Sequence, residues 1–235
     1  QNLTKPNMDL KTMQTHHIEL GYHGTFLDSI NINAAIYTNY ELNKLTTVVF
    51  DQRDANGYDR QYQNENESLY YGFEFGTEMI LNHYFTLGGS CAIIEAEWLN
   101  YYVATPPEYP TWYFITYMPE FTANGYISIS PLGNKKLGVF ENIRIMPRFE
   151  YVAAKKYDNG SWGSSRVTVP VDGKAPQDIR WFEDYTLIHV GIFATIAKNY
   201  SVSASVHNLF DVLYDTDISM PAPGRSFNIS LGAKF

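Results

Sequence analysis

The last ten residues of this chain alternate without a break. Phe227, Ile229, Leu231, Ala233 and Phe235 are apolar, while Ser226, Asn228, Ser230, Gly232 and Lys234 are small or polar. A period of two places the two sets on opposite faces of one strand, one greasy and one wet. An aromatic at the last position of the greasy face suits a wall whose outer side meets lipid. The same period recurs upstream. It predicts nine strands, over about residues 16–22, 30–42, 69–80, 84–98, 120–130, 137–152, 185–196, 200–210 and 226–235. Pro147 falls inside the sixth of these, where it removes one ladder donor. The fold expected is all-β, an antiparallel transmembrane β-barrel wall.

The links between these strands alternate in length. Those after the first, third, fifth and seventh strands are a few residues long. Those after the second, fourth, sixth and eighth are long, covering about 43–68, 99–119, 153–184 and 211–224. Short turns on one rim and long loops on the other are the build of outer-membrane barrels. Trp98, Tyr101, Tyr102, Trp112, Tyr113, Trp181 and Phe182 cluster where strands meet long loops, and an interfacial aromatic girdle is expected from them. The polar stretch 43–68 is expected to be a solvated loop. Its acidic residues do not follow calcium-loop spacing.

Composition removes other classes. No apolar run reaches the roughly 18 residues of a membrane helix. A net charge of −8 argues against nucleic acid as a partner. The lone Cys91 permits no intrachain disulfide, and no nucleophile elbow, zinc-protease helix or phosphate-binding glycine loop is present, so no enzyme is expected. Nine is an odd number where single-chain bacterial barrels carry even ones. The expectation is therefore that residues 1–235 are the C-terminal portion of a larger barrel.

Two sequence blocks carry a family resemblance. One is Val206-His207-Asn208-Leu209-Phe210-Asp211-Val212-Leu213-Tyr214, followed by Pro223-Gly224-Arg225-Ser226-Phe227 and the final Phe235. The other is Lys5-Pro6-Asn7-Met8-Asp9-Leu10 followed by Ile18-Glu19-Leu20-Gly21-Tyr22. Together they resemble the TonB-dependent outer-membrane receptors, although 5–10 lacks that family's usual Pro-Glu pair.

The resemblance implies an integral protein of the bacterial outer membrane with a barrel of about 22 strands around an N-terminal plug. The plug and first strands would lie outside this chain. It implies energised import of a scarce metal chelate, a ferric siderophore above haem, cobalamin or other metal complexes. A passive porin is the alternative from another class. The implied partners are the rest of the same receptor, the TonB complex acting through the plug, outer-membrane lipid and lipopolysaccharide, with a surface lipoprotein as a further candidate. No intrinsic cofactor is implied, only the transported chelate, with iron as its metal. Asn208, Leu209, Phe210, Asp211, Tyr214, Pro223, Gly224, Arg225 and Phe235 would serve structure and assembly, with glycine at 224 permitting a positive φ in a turn.

Ligand contacts are sought on the polar face. Arg144 and Arg148 are candidates because guanidinium groups hold oxyanions well. The competing expectation is that they pair with Glu150, Glu74 or Glu78. His17 and His207 could meet a metal complex, and Tyr102 and Trp112 could stack on a ligand from above. No spacing of His, Cys or carboxylates marks a metal site.

Overall fold

The computed structural model describes residues 3–49, 53–100, 113–114, 118–158, 179–217 and 220–234, and all regular structure among them is strand. Nine long strands form the wall: β2 (Gln14–Phe26), β3 (Ile30–Val49), β4 (Arg60–Ile80), β5 (Phe85–Asn100), β7 (Phe121–Ile129), β8 (Phe140–Val152), β11 (Tyr185–Ile196), β12 (Tyr200–His207) and β15 (Ser226–Ala233). They lie side by side in chain order, each antiparallel to the next. Six short strands decorate the long-loop rim: β1 (Thr4–Lys5), β6 (Tyr113–Phe114), β9 (Lys155–Asp158), β10 (Ile179–Phe182), β13 (Asp215–Asp217) and β14 (Met220–Pro221).

The alternation seen in the sequence decides which way each side chain points. Ile18, Leu20, Ile36, Phe73, Ile93, Ile192 and Leu231 all stand exposed on one face. Buried apolar residues among the described ones are few: Ala96, Val152, Phe182 and Leu187. An apolar sheet face this large, with no protein against it, is the lipid side of a wall rather than half of a sandwich core.

The stretch 43–68 departs from expectation. β3 runs on to Val49 and β4 begins at Arg60, so most of the predicted loop is a tall hairpin. The strict alternation fails there because the register shifts around Glu41–Lys44 and Lys44–Leu45, which scrambles period two without ending the ladder. The segment before β2 straps this hairpin. β1 pairs with the free edge of β4, Asn64 bonds the backbone of Lys11 on both its oxygen (2.6 Å) and its nitrogen (3.0 Å), and the chain then enters β2 beside β3.

Asp54 anchors the strap at the hairpin's tip. Its carboxylate accepts from the N–H of Asn56 (2.9 Å) and of Tyr58 (3.1 Å) and faces Lys5 at 3.4 Å. Desolvation raises its pKa, but the N–H donors of Tyr58 and Asn56 and the Lys5 charge outweigh that and hold the carboxyl below its ordinary value. A carboxylate depressed in the folded state adds stability above its unfolded pKa and loses it as pH falls through the folded value. Hydrogen exchange over 3–13, corrected for intrinsic rate, should therefore quicken below the ordinary carboxylate range of about 4. Asp54→Asn should show the quickened exchange at neutral pH already; equal exchange in variant and parent would refute the anchor.

Two further expectations meet the structure differently. Pro147 stays inside β8, paired to Val190 of β11, while the ladder to β7 lapses between the Tyr126–Arg148 and Ile129–Ile145 pairs. The missing proline donor is thus confined to one side. Phe182 is no girdle residue: it is 8% exposed, packed in the β9–β10 hairpin with the Lys155 ammonium 5.4 Å above its ring. Outward aromatics at this rim are instead Tyr40, Tyr71 and Tyr151, whose hydroxyls donate to Glu67 (2.5 Å), Glu97 (3.2 Å) and Asp184 (3.2 Å).

Candidate ligand-binding wall

Strand register builds a transverse row on the polar face. Glu78 lies beside Gly88, Gly88 beside Tyr126, Tyr126 beside Arg148, and Arg148 beside His189. The His207 ring meets the His189 ring edge-on at 5.3 Å. Neighbouring strands are about 4.8 Å apart, so these groups form one contiguous band. The Tyr126 ring crosses over Gly88, where any Cβ would overlap it, and its hydroxyl donates to the Glu78 carboxylate in a very short bond.

The band borders a trough of about 460 Å³ lined by Asn124, Tyr126, Arg148, Glu150, His189 and His207 among others. Glu150 sits 3.8 Å from His189 Nε2, and the other ring nitrogen of His189 accepts from the Asn208 backbone N–H at 3.3 Å. That acceptor role places the proton of the neutral ring on Nε2, toward Glu150. Arg148 forms no ion pair among the described residues: Glu78 is engaged by Tyr126 and Glu150 lies nearest His189. The expected pairing of Arg148 with a carboxylate of the wall is therefore not what the structure has. Its guanidinium is exposed to the trough.

The other candidates scatter. Arg144 also lacks an ion pair among the described residues, but it lines a separate trough of about 360 Å³ toward the short-turn rim, with Asn142, Phe193, Ser203 and Ser230. His17 lies on β2, far across the sheet, bonded to Asn39 Oδ1 at 2.6 Å and 3.4 Å from Glu19. Tyr102, Trp112 and Phe235 lie outside the described residues. Among the described residues no group of three His, Cys, Asp or Glu could hold a metal ion. Sequence reasoning missed Tyr126 as a member of the band. Its polar-face parity was visible, but its neighbours in space were not.

The block after β12 forms a compact clasp at the long-loop rim. Asn208, 3% exposed, takes φ +51°, accepts from Val212 N–H and donates to Val212 C=O, both at 2.8 Å. Leu209 N–H bonds Ile188 C=O at 2.7 Å, and the Tyr214 ring lies against Tyr185, tilted by 38° with centroids 4.4 Å apart. Phe210 stands exposed beside Asp211. Asp211, at φ +56°, accepts from Arg225 N–H at 2.6 Å and so ties the block to the start of β15. The left-handed residues are Asn208 and Asp211. Gly224, following Pro223, does not take a positive φ; it is needed because a Cβ there would come 2.7 Å from Asp211 Oδ1.

A family model described as TonB dependent receptor-like, beta-barrel, matches residues 1–209. No curated protein matches the chain by sequence. Among solved structures, the FrpB iron transporter of Neisseria meningitidis superposes with a TM-score of 0.70 at 13% identity, covering 100% of this chain and 33% of its own. The siderophore receptor PirA of Acinetobacter baumannii gives 0.68 at 16% identity, covering 99% and 33%. The copper transporter OprC gives 0.65 at 15%, covering 97% and 32%. The chain thus spans about a third of the length of these proteins. At such identities the likeness concerns the fold.

Proposed function

The chain belongs to the TonB-dependent receptor-like β-barrel family, and from that premise we propose that it walls an outer-membrane receptor importing an anionic metal chelate, a ferric siderophore. The receptor would be completed by the remaining wall strands and a plug, with the TonB complex supplying energy through that plug. The family is one of receptors and transporters, not enzymes. The iron transporter and siderophore receptor among the structural neighbours support this cargo class.

One observation carries the cargo's charge: Arg148 stands in the trough with no carboxylate among the described residues bound to it, with Tyr126 and His189 at the adjoining strand positions and His207 lining the same trough. A guanidinium left open in such a trough is suited to an oxyanion-rich chelate. The test is Arg148→Glu in the complete receptor. A charge-assisted contact contributes about 1.5–3 kcal/mol, so affinity for a ferric siderophore should fall by roughly tenfold to a hundredfold. Arg144→Glu, in its separate trough, should slow uptake while leaving affinity at the outer mouth near the parental value. Unchanged affinity in Arg148→Glu would refute the anionic-cargo reading.

A further inference from the structure

The short-turn rim of β7, β8, β11, β12 and β15 differs in charge from the rest of the molecule. The chain as a whole carries −8, yet this rim carries Lys135, Lys136, Lys198 and Lys234 against one carboxylate, Glu141. Glu141 is taken by Lys136 at 2.7 Å. Lys135, Lys198 and Lys234 are exposed, with no ion pair among the described residues. Backbone bonds weld the three segments together: Ala197 N–H to Val139 C=O, and Lys234 N–H to Asn199 C=O, both 2.8 Å.

Large apolar side chains stand beside these lysines. Leu137 is 61% exposed and Val139 59%, both in the β7–β8 turn, and Tyr200 opens β12 on the lipid-facing side. Two turns further along the same rim, Leu27 is 86% exposed at the tip of the β2–β3 turn and held at φ +51°. Turn tips in water are normally polar, and a branched aliphatic residue in left-handed backbone is disfavoured. Exposed apolar side chains thus continue from the wall onto these turns, beside the lysines.

We propose that this rim is seated in the inner leaflet's headgroup layer and binds anionic phospholipid, with Lys135 and Lys198 of the turns contacting headgroup phosphates while Leu137, Val139 and Tyr200 enter the acyl boundary. The occupant follows from continuity with the lipid-facing wall and from charge complementarity: unpaired ammonium groups flanking an apolar rim meet phosphate above hydrocarbon. The inference rests on the receptor reading for its orientation, since it takes the short-turn rim as the periplasmic one.

The test uses the complete receptor reconstituted into phosphatidylethanolamine bilayers with and without phosphatidylglycerol. Co-released lipid is then counted by native mass spectrometry. The parent receptor should retain phosphatidylglycerol preferentially. K135Q/K198Q should lose that preference, by about fivefold per lysine at low salt, whereas K135R/K198R should keep it. Neither lysine side chain forms a hydrogen bond or ion pair among the described residues, and Lys136 is left with Glu141, so the glutamine variant should insert and melt as the parent does. Equal phosphatidylglycerol retention in parent and glutamine variant would overturn the inference while leaving the receptor reading intact. Failure of the parent to insert into either bilayer would overturn both.

Discussion

Asn208→Ala should destabilise the receptor wall by roughly 3–8 kcal/mol, the largest effect expected of any single substitution at the clasp. Two costs combine. The nearly buried amide satisfies both polar groups of the Val212 backbone, and each left unpaired costs about 1–3 kcal/mol. Alanine must also be forced into left-handed backbone, at about 1–2 kcal/mol. Asn208→Gly separates the two, because glycine adopts φ +51° freely while still lacking the amide; it should recover only the backbone part. Unfolding of the intact receptor, followed by its heat-dependent migration in detergent gels, measures both. An alanine variant within 1 kcal/mol of the parent would show that the clasp is not stabilised in this way. The same loop carries Leu209 on Ile188 and Asp211 on Arg225, so the alanine variant should also loosen the junction between β12 and β15.

The second large effect is expected at Gly88. A valine there would occupy the space of the Tyr126 ring and drive the phenol off Glu78. Overpacking costs about 1–3 kcal/mol, and the lost hydroxyl–carboxylate bond a further 1.5–3. A double-mutant cycle isolates the mechanism. In G88V/Y126A the ring is gone before the valine arrives, so the double variant should cost about as much as Y126A alone. Simple additivity would mean that Gly88 acts through something other than the tyrosine. Chelate affinity should fall along with stability in G88V, because Tyr126 neighbours Arg148 in the trough. The pattern repeats at Tyr37 over Gly72 and Phe149 over Gly125, where a ring again lies across the cross-strand glycine. These ring-on-glycine pairs staple adjacent strands where a sheet with only lipid on one side has few packing contacts to spare.

Much of the wall was legible in the residues because period two is a local property. Nine strands, their polar and apolar faces and their short and long connections follow from one-dimensional alternation, and all nine lie side by side in chain order. Legibility failed where alternation was interrupted. At Glu41–Leu45 the register shifts hid the upper half of the β3–β4 hairpin, and its charged residues resembled a loop. Phe182 carried the composition of a girdle residue but was drawn under Lys155 by the β9–β10 pairing. Gly224 suggested backbone freedom, whereas the space needed by Asp211 explains it.

The sequence by itself determined that this chain makes antiparallel strands with one lipid-facing side, because side-chain direction in a strand depends only on parity. It also marked Arg148 and His207 as polar-face residues. Only the tertiary structure decided that these two share a trough with Tyr126 and His189 while Arg144 and His17 do not. Parity says which face a residue occupies; cross-strand register, set by turns, shifts and the order of strands, says which residues on that face are neighbours.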